Sequence, residues 1–196
     1  MSPVPVTLSH EVIPLCCLVL TLITAVFAQR RFLSTAVVRI PVHLTTQLLS
    51  DIKHRDLWAV YWVGLFSWGS FVTFLHFGGY EFQWYTQFGW WDLLTHFVSG
   101  IGVAGILLVG LRHTVLPQAP VSWVFIALLS IGAGFEVYEY LFRSFWHSWT
   151  PIYYAQDTAE DLLMACTGGV VMQAWYRAKS VRGSDGDVSV TAQSAD

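Results

Sequence analysis

Asp92 and His96 stand four residues apart in Trp91-Asp92-Leu93-Leu94-Thr95-His96-Phe97, at the opening of a long apolar run. On a helix that spacing places both side chains on one face about one turn apart, so an oxygen and a nitrogen can address the same point. Two later segments repeat the anomaly of carboxylates at the edge of apolar runs: Glu136-Val137-Tyr138-Glu139 and Asp157-Thr158-Ala159-Glu160-Asp161. Carboxylate and imidazole together suit Zn, Mn or Fe, whereas carboxylates alone favour Mg or Ca. The expected metal set is therefore Asp92, His96, Glu136, Asp157 and Asp161, holding a divalent cation such as Zn, Mn, Fe or Mg. Glu139 is the expected general base toward water polarised by that cation, and His96 is a second candidate for proton transfer.

Simpler roles compete for some of these residues. Asp92 suits a helix N-cap, and Asp157 with Glu160 has the spacing of a capping box. Glu139 can pair with Arg143 one turn on. His76 and His147 sit at the same edge and suit interfacial packing. Asp161 and Glu136 lie a turn deeper, where an ionised carboxylate costs about 2.5 to 3.5 kcal/mol near mid-membrane and marks a functional candidate. The excess of acids over His96 and Arg143 needs neutralising, by cations, by protons or by water in an open cavity.

The elements that position these groups follow from composition. Of 196 residues, 55% are hydrophobic and only 12% charged, and the mean hydropathy is +0.53. That departs far from the roughly quarter-charged soluble average and implies an integral membrane protein. The 10 Trp, 8 Tyr and 13 Phe agree, since such rings gather at membrane interfaces. Cys16, Cys17 and Cys166 show no disulfide framework and suit packing.

Residues 11 to 28 form a first apolar span, with Arg30 and Arg31 after it rather than before it, unlike a signal peptide. Residues 32 to 56 are too polar to span and are expected to lie on the inner surface, with a short helix after Pro41. Further spans are expected over 57 to 77, ended by Gly78-Gly79, then 92 to 111, 121 to 142 and 157 to 176, with Pro117 and Pro120 breaking the connection before the fourth. The loops 78 to 91 and 143 to 156 are aromatic, and the composition of the tail points to disorder.

The expected fold is an all-α transmembrane bundle of about five spans. Its parts are a first helix with an inner interfacial segment (1 to 56), a four-helix core carrying the site (57 to 176) and a disordered cytoplasmic tail (177 to 196). With the amino end outside, Arg30, Arg31, Arg39, Lys53, Arg55, Arg112, Arg177, Lys179 and Arg182 all fall inside. Only Arg143 falls outside, a strong positive-inside signal. This orientation puts the three acidic segments in the outer third. Small residues in helical step with them, Gly100, Ala104, Gly132, Ala165, Gly168 and Gly169, predict that the polar faces point inward.

At these residues the chain resembles the YjdF-like membrane proteins, also described as DUF2238. The likeness rests on Trp91-Asp92-x-x-x-His96-Phe97 with Gly100, on Glu136-x-x-Glu139, and on Asp157-Thr158-x-x-Asp161 before Gly168-Gly169. It is more distantly similar to VanZ-like membrane proteins. Such helices often carry Asn after the last Asp, where this chain has Ala165-Cys166. The likeness covers about residues 57 to 176 and implies a helical membrane fold without handing over a reaction.

Three functions remain open. The first is a metal-dependent hydrolase acting on a lipid-linked or amphiphilic substrate at the outer leaflet of the plasma membrane. The second is a cation- or proton-coupled transporter, and a homo-oligomer would then supply the symmetry that five spans lack. The third is a non-catalytic scaffold in which caps and ion pairs explain the acids. Neither G-x-S-x-G nor a Cys-His pair accompanies the cluster, no G-x-G-x-x-G follows a strand, and the basic residues form a belt rather than a nucleic-acid-binding patch.

Overall fold

A computed structural model describes residues 10–55, 57–116, 119–120, 122–142 and 149–193, with side chains as far as 179. Among the described residues the chain forms seven α-helices and no strand: α1 Val12–Phe32, α2 Ile40–His54, α3 Leu57–Glu81, α4 Trp84–Gln87, α5 Trp91–Gly110, α6 Trp123–Phe142 and α7 Pro151–Gln193. Four of them, α1, α3, α5 and α6, are long and apolar enough to cross a membrane. The fifth expected span lies within α7, whose Asp157, Glu160 and Asp161 make it more polar than the other four. Leu15, Leu22, Ile23 and Val26 of α1 and Val63, Phe66, Phe74 and Phe77 of α3 point away from the bundle. Apolar faces of that extent suit lipid rather than water.

The pairwise contacts give the helices alternating directions. The hydroxyl of Ser130 in α6 donates to the Thr21 carbonyl of α1, while Trp123 and Val124 at the other end of α6 pack near Ala28 and Phe32. Those two helices are antiparallel. Trp68 of α3 donates its indole N–H to the Val98 carbonyl at 2.9 Å, and a Cβ on Gly110 would meet Trp62, so α3 and α5 are antiparallel too. Gly100 faces Ala165 and Gly105 faces Met172, which makes α5 and α7 parallel.

Helix α5 is the centre of the bundle. Its Ala104, Leu107 and Leu108, with Leu111 just beyond its end, form the main core with Ala28 and Phe32 of α1, Val124 and Leu128 of α6 and Cys166 of α7. At this end Asp51 of α2 is buried, and it accepts hydrogen bonds from Arg112 at 2.6 Å, Trp62 at 2.8 Å and Gln47 at 2.8 Å. The connections beside it pair as well: Ser34 N–H donates to Thr114 and Leu116 N–H to Phe32. As expected, a helix begins around Pro41, and Pro41 occupies its first turn.

Several boundaries differ from the sequence expectation. Helix α1 carries on through Arg30 and Arg31 to Phe32; basic side chains favour a helix carboxyl end and their stems cover apolar surface. Helix α3 does not stop at Gly78-Gly79 but continues to Glu81, with both glycines buried. A Cβ on Gly79 would collide with the Trp91 indole nitrogen, so this glycine serves close packing rather than helix termination.

Helix α7 starts at Pro151, six residues before the expected 157. Thr150 caps it by accepting the Tyr153 N–H at 3.2 Å, and Pro in the first turn has no N–H to leave unsatisfied. Asp157 and Glu160 are therefore interior to the helix and form no capping box; Glu160 instead accepts the Gln156 amide at 2.7 Å. The backbone of α7 runs to Gln193, into the stretch whose composition predicts disorder. Pro117, Arg143 and His147 lie outside the described residues.

Candidate metal centre

Asp92 sits inside the first turn of α5, preceded by Trp90, which makes no side-chain cap. The N-cap role is thus not the one it takes; instead it looks along the helix to His96. His96 Nε2 lies 3.6 Å from Asp92 Oδ1 and 3.5 Å from Asp161 Oδ2, so one imidazole joins α5 to α7. Asp92, His96 and Asp161 each offer a ligand atom within 4.8 Å of the other two, and the same holds for His96, Glu136 and Glu139. The two groups share His96 and draw on three helices. Five of the six residues proposed from sequence are brought together.

Asp157 is the sixth. It lies half-buried one turn before Asp161 on α7 and belongs to neither group among the described residues. His76 also stays outside: its Nδ1 pairs with the Tyr85 hydroxyl at 2.8 Å. Tyr85 and Trp84 belong to α4, which folds over the end of α3. Trp84 and Trp91 meet edge to face with centroids 4.6 Å apart, and Phe74, Phe82, Phe88 and Trp90 extend the stack. This is the aromatic cover that the loop composition suggests, and His76 packs within it.

Burial within the cluster is graded. Asp161 is 1% exposed and Glu136 2%, whereas Asp92 and Glu139 are half-exposed. Glu136 accepts a hydrogen bond from the Thr158 hydroxyl of α7 at 3.0 Å, which fixes its orientation. Asp161 differs: neither of its oxygens accepts a hydrogen bond among the described residues. A buried carboxylate in that state is costly unless a positive group faces it, and His96 is the only basic residue in either ligand group.

The backbones of α5 and α7 are in direct contact just beneath the site. A Cβ on Gly100 would strike the Ala165 carbonyl, and one on Gly168 would strike the Phe97 carbonyl. Gly132 faces Leu162, and Ala104 is fully buried. The small residues in step with the polar positions thus mark the close approaches as expected. The residue missed from sequence is Thr158. Its position about one turn before Asp161, on the buried face of α7, was the available signal.

An all-α membrane bundle with a polar cluster buried toward one end is what fold and site define. The chain belongs to the family described as predicted membrane protein, DUF2238, whose profile matches residues 10–182. That match takes in α1 and α2 as well as the expected 57 to 176. No curated protein and no solved structure matches the chain.

Proposed function

We propose that this protein is a metal-dependent hydrolase embedded in the plasma membrane, acting on a lipid-linked or amphiphilic substrate at the outer leaflet. The observation that carries the reading is Asp161: buried, without a hydrogen-bond donor among the described residues, and 3.5 Å from His96 in a cluster of four carboxyl groups and one imidazole. A divalent cation held by Asp92, His96 and Asp161 neutralises that charge, and the mixed oxygen and nitrogen set suits Zn, Mn or Fe, with Mg closer to the carboxylate-only case. When bound, the cation supplies Lewis-acid polarisation of water or of a substrate oxygen.

The protein's own groups divide the remaining work. Glu136, oriented by Thr158, completes the inner wall. Glu139 is half-exposed at the mouth, where a general base must meet both water and substrate. Asp157, one turn outward on α7, joins the reading as an acid on the approach. The aromatic cover around Trp84 and Trp91 gives an apolar flank for an acyl chain.

The test is turnover of ester- and phosphate-linked amphiphiles in mixed micelles, read by mass spectrometry of the products. Cation-dependent turnover by the wild type, lost in Glu139→Gln while bound metal is kept, is the expected result. Turnover unchanged in Glu139→Gln, or none across the panel, contradicts the hydrolase reading.

A further inference from the structure

A second polar feature lies at the opposite end of the bundle. Arg30 and Arg31 occupy the last turn of α1 and line a cavity of about 540 Å³ together with Phe27, Phe32, Leu116 and Ile126. Both arginines are exposed. Among the described residues neither Arg30 nor Arg31 takes part in an ion pair. The cavity thus has two guanidinium groups without an acidic partner among the described residues, beside an apolar floor where a membrane-crossing helix ends.

We propose that this cavity binds the headgroup and upper acyl chain of an anionic phospholipid. Guanidinium groups match phosphate oxygens in charge and fork geometry, and basic pockets at the cytoplasmic ends of transmembrane helices meet the anionic leaflet. The aromatic and aliphatic lining accounts for the rest of the ligand: a soluble phosphate leaves the exposed Phe27 and the half-buried Ile126 uncovered, whereas a lipid covers them. The site stands on residues separate from the carboxylate cluster and does not depend on it.

The full-length protein in detergent is tested by native mass spectrometry with phosphatidylglycerol, phosphatidylcholine and glycerol phosphate. The wild type is expected to retain phosphatidylglycerol over phosphatidylcholine by roughly thirtyfold, the scale of two basic side chains at an anionic surface. Arg30→Gln with Arg31→Gln loses that preference, while Lys53→Gln with Arg55→Gln, an equal charge change away from the cavity, keeps it. Ile126→Trp retains both arginines but fills the apolar floor, and is expected to lower lipid retention without a loss of fold. Equal retention of the two lipids by the wild type, a preference that survives the double arginine change, or retention untouched by Ile126→Trp overturns the proposal. Displacement of the lipid by equimolar glycerol phosphate overturns it as well, by assigning the cavity to a soluble anion.

Discussion

His96 of α5 and Asp161 of α7 face each other with Nε2 and Oδ2 3.5 Å apart, although they belong to helices joined only through the whole of α6. Asp161 has no hydrogen-bond donor of its own among the described residues. The contact is therefore the hinge of the proposed site. Without a cation it leaves a buried carboxylate poorly compensated, and with one it becomes part of a ligand set.

Asp161→Asn separates those two states. In chelator-treated protein the amide removes a buried charge, and stability is expected to stay level or rise by about 1 to 3 kcal/mol. Adding the cation should raise the unfolding temperature of the wild type and leave that of the variant unchanged. A variant that is stabilised by cation as much as the wild type would count against Asp161 as a ligand.

Thr158→Val tests the support given to Glu136. It removes the donor to a buried carboxylate, with an expected cost of about 1 to 3 kcal/mol. If Glu136 contributes to the site, cation affinity should fall by roughly 10- to 100-fold as well. Calorimetric titration of metal into the apo protein gives the second number, and an unchanged affinity would restrict Thr158 to folding.

Gly100→Ala and Gly168→Ala probe the parallel α5–α7 contact. Each added Cβ meets a carbonyl of the neighbouring helix, so a loss of about 1 to 3 kcal/mol is expected from overpacking. The shift should also pull His96 from Asp161 and weaken cation binding. Gly64→Ala is the control: nothing lies within 4 Å of its Cβ, and helix propensity favours the alanine by up to about 1 kcal/mol. Equal effects at all three positions would argue against direct backbone contact.

The Asp51–Arg112 pair carries a pH prediction. Burial alone would raise the Asp51 carboxyl, but hydrogen bonds from Arg112, Trp62 and Gln47 outweigh it and hold the group below its ordinary range. A carboxylate depressed on folding stabilises fully above its unfolded value of about 3.9, and that stability is lost as pH falls through the lower folded value. The advantage of wild type over Asp51→Asn should therefore hold from neutral pH to about 5 and shrink below about 4. Arg112→Met at neutral pH should cost about 3 to 5 kcal/mol, most of it recovered in Asp51→Leu with Arg112→Met. Unfolding curves in detergent across pH check both, and a pH-independent difference would contradict the assignment.

Much of the bundle was legible because membrane burial leaves a one-dimensional signal: apolar runs, basic flanks and aromatic edges. The inward polar faces were legible too, since Gly100, Gly132 and Gly168 keep helical step with His96, Glu136 and Asp161. Boundaries were less so. Gly78-Gly79 reads as a stop in sequence but is a packing device against Trp91, and only the fold reveals what fills the missing side chains. The start of α7 was hidden because Thr150-Pro151 lies in an aromatic stretch without an apolar run to mark it. The role of Asp51 is hidden in the sequence for a similar reason. Its partners Trp62 and Arg112 come from other parts of the chain, and no local spacing announces them.

The most direct test of the central claim is elemental analysis of the detergent-purified protein, wild type beside Asp161→Asn and His96→Ala, after dialysis without chelator. Near-stoichiometric divalent metal in the wild type, lost in both variants while circular dichroism shows the helices intact, is the result predicted. Wild-type protein that holds no Zn, Mn, Fe or Mg even after each is added back, or variants that retain as much metal as the wild type, would contradict a metal centre at His96 and Asp161.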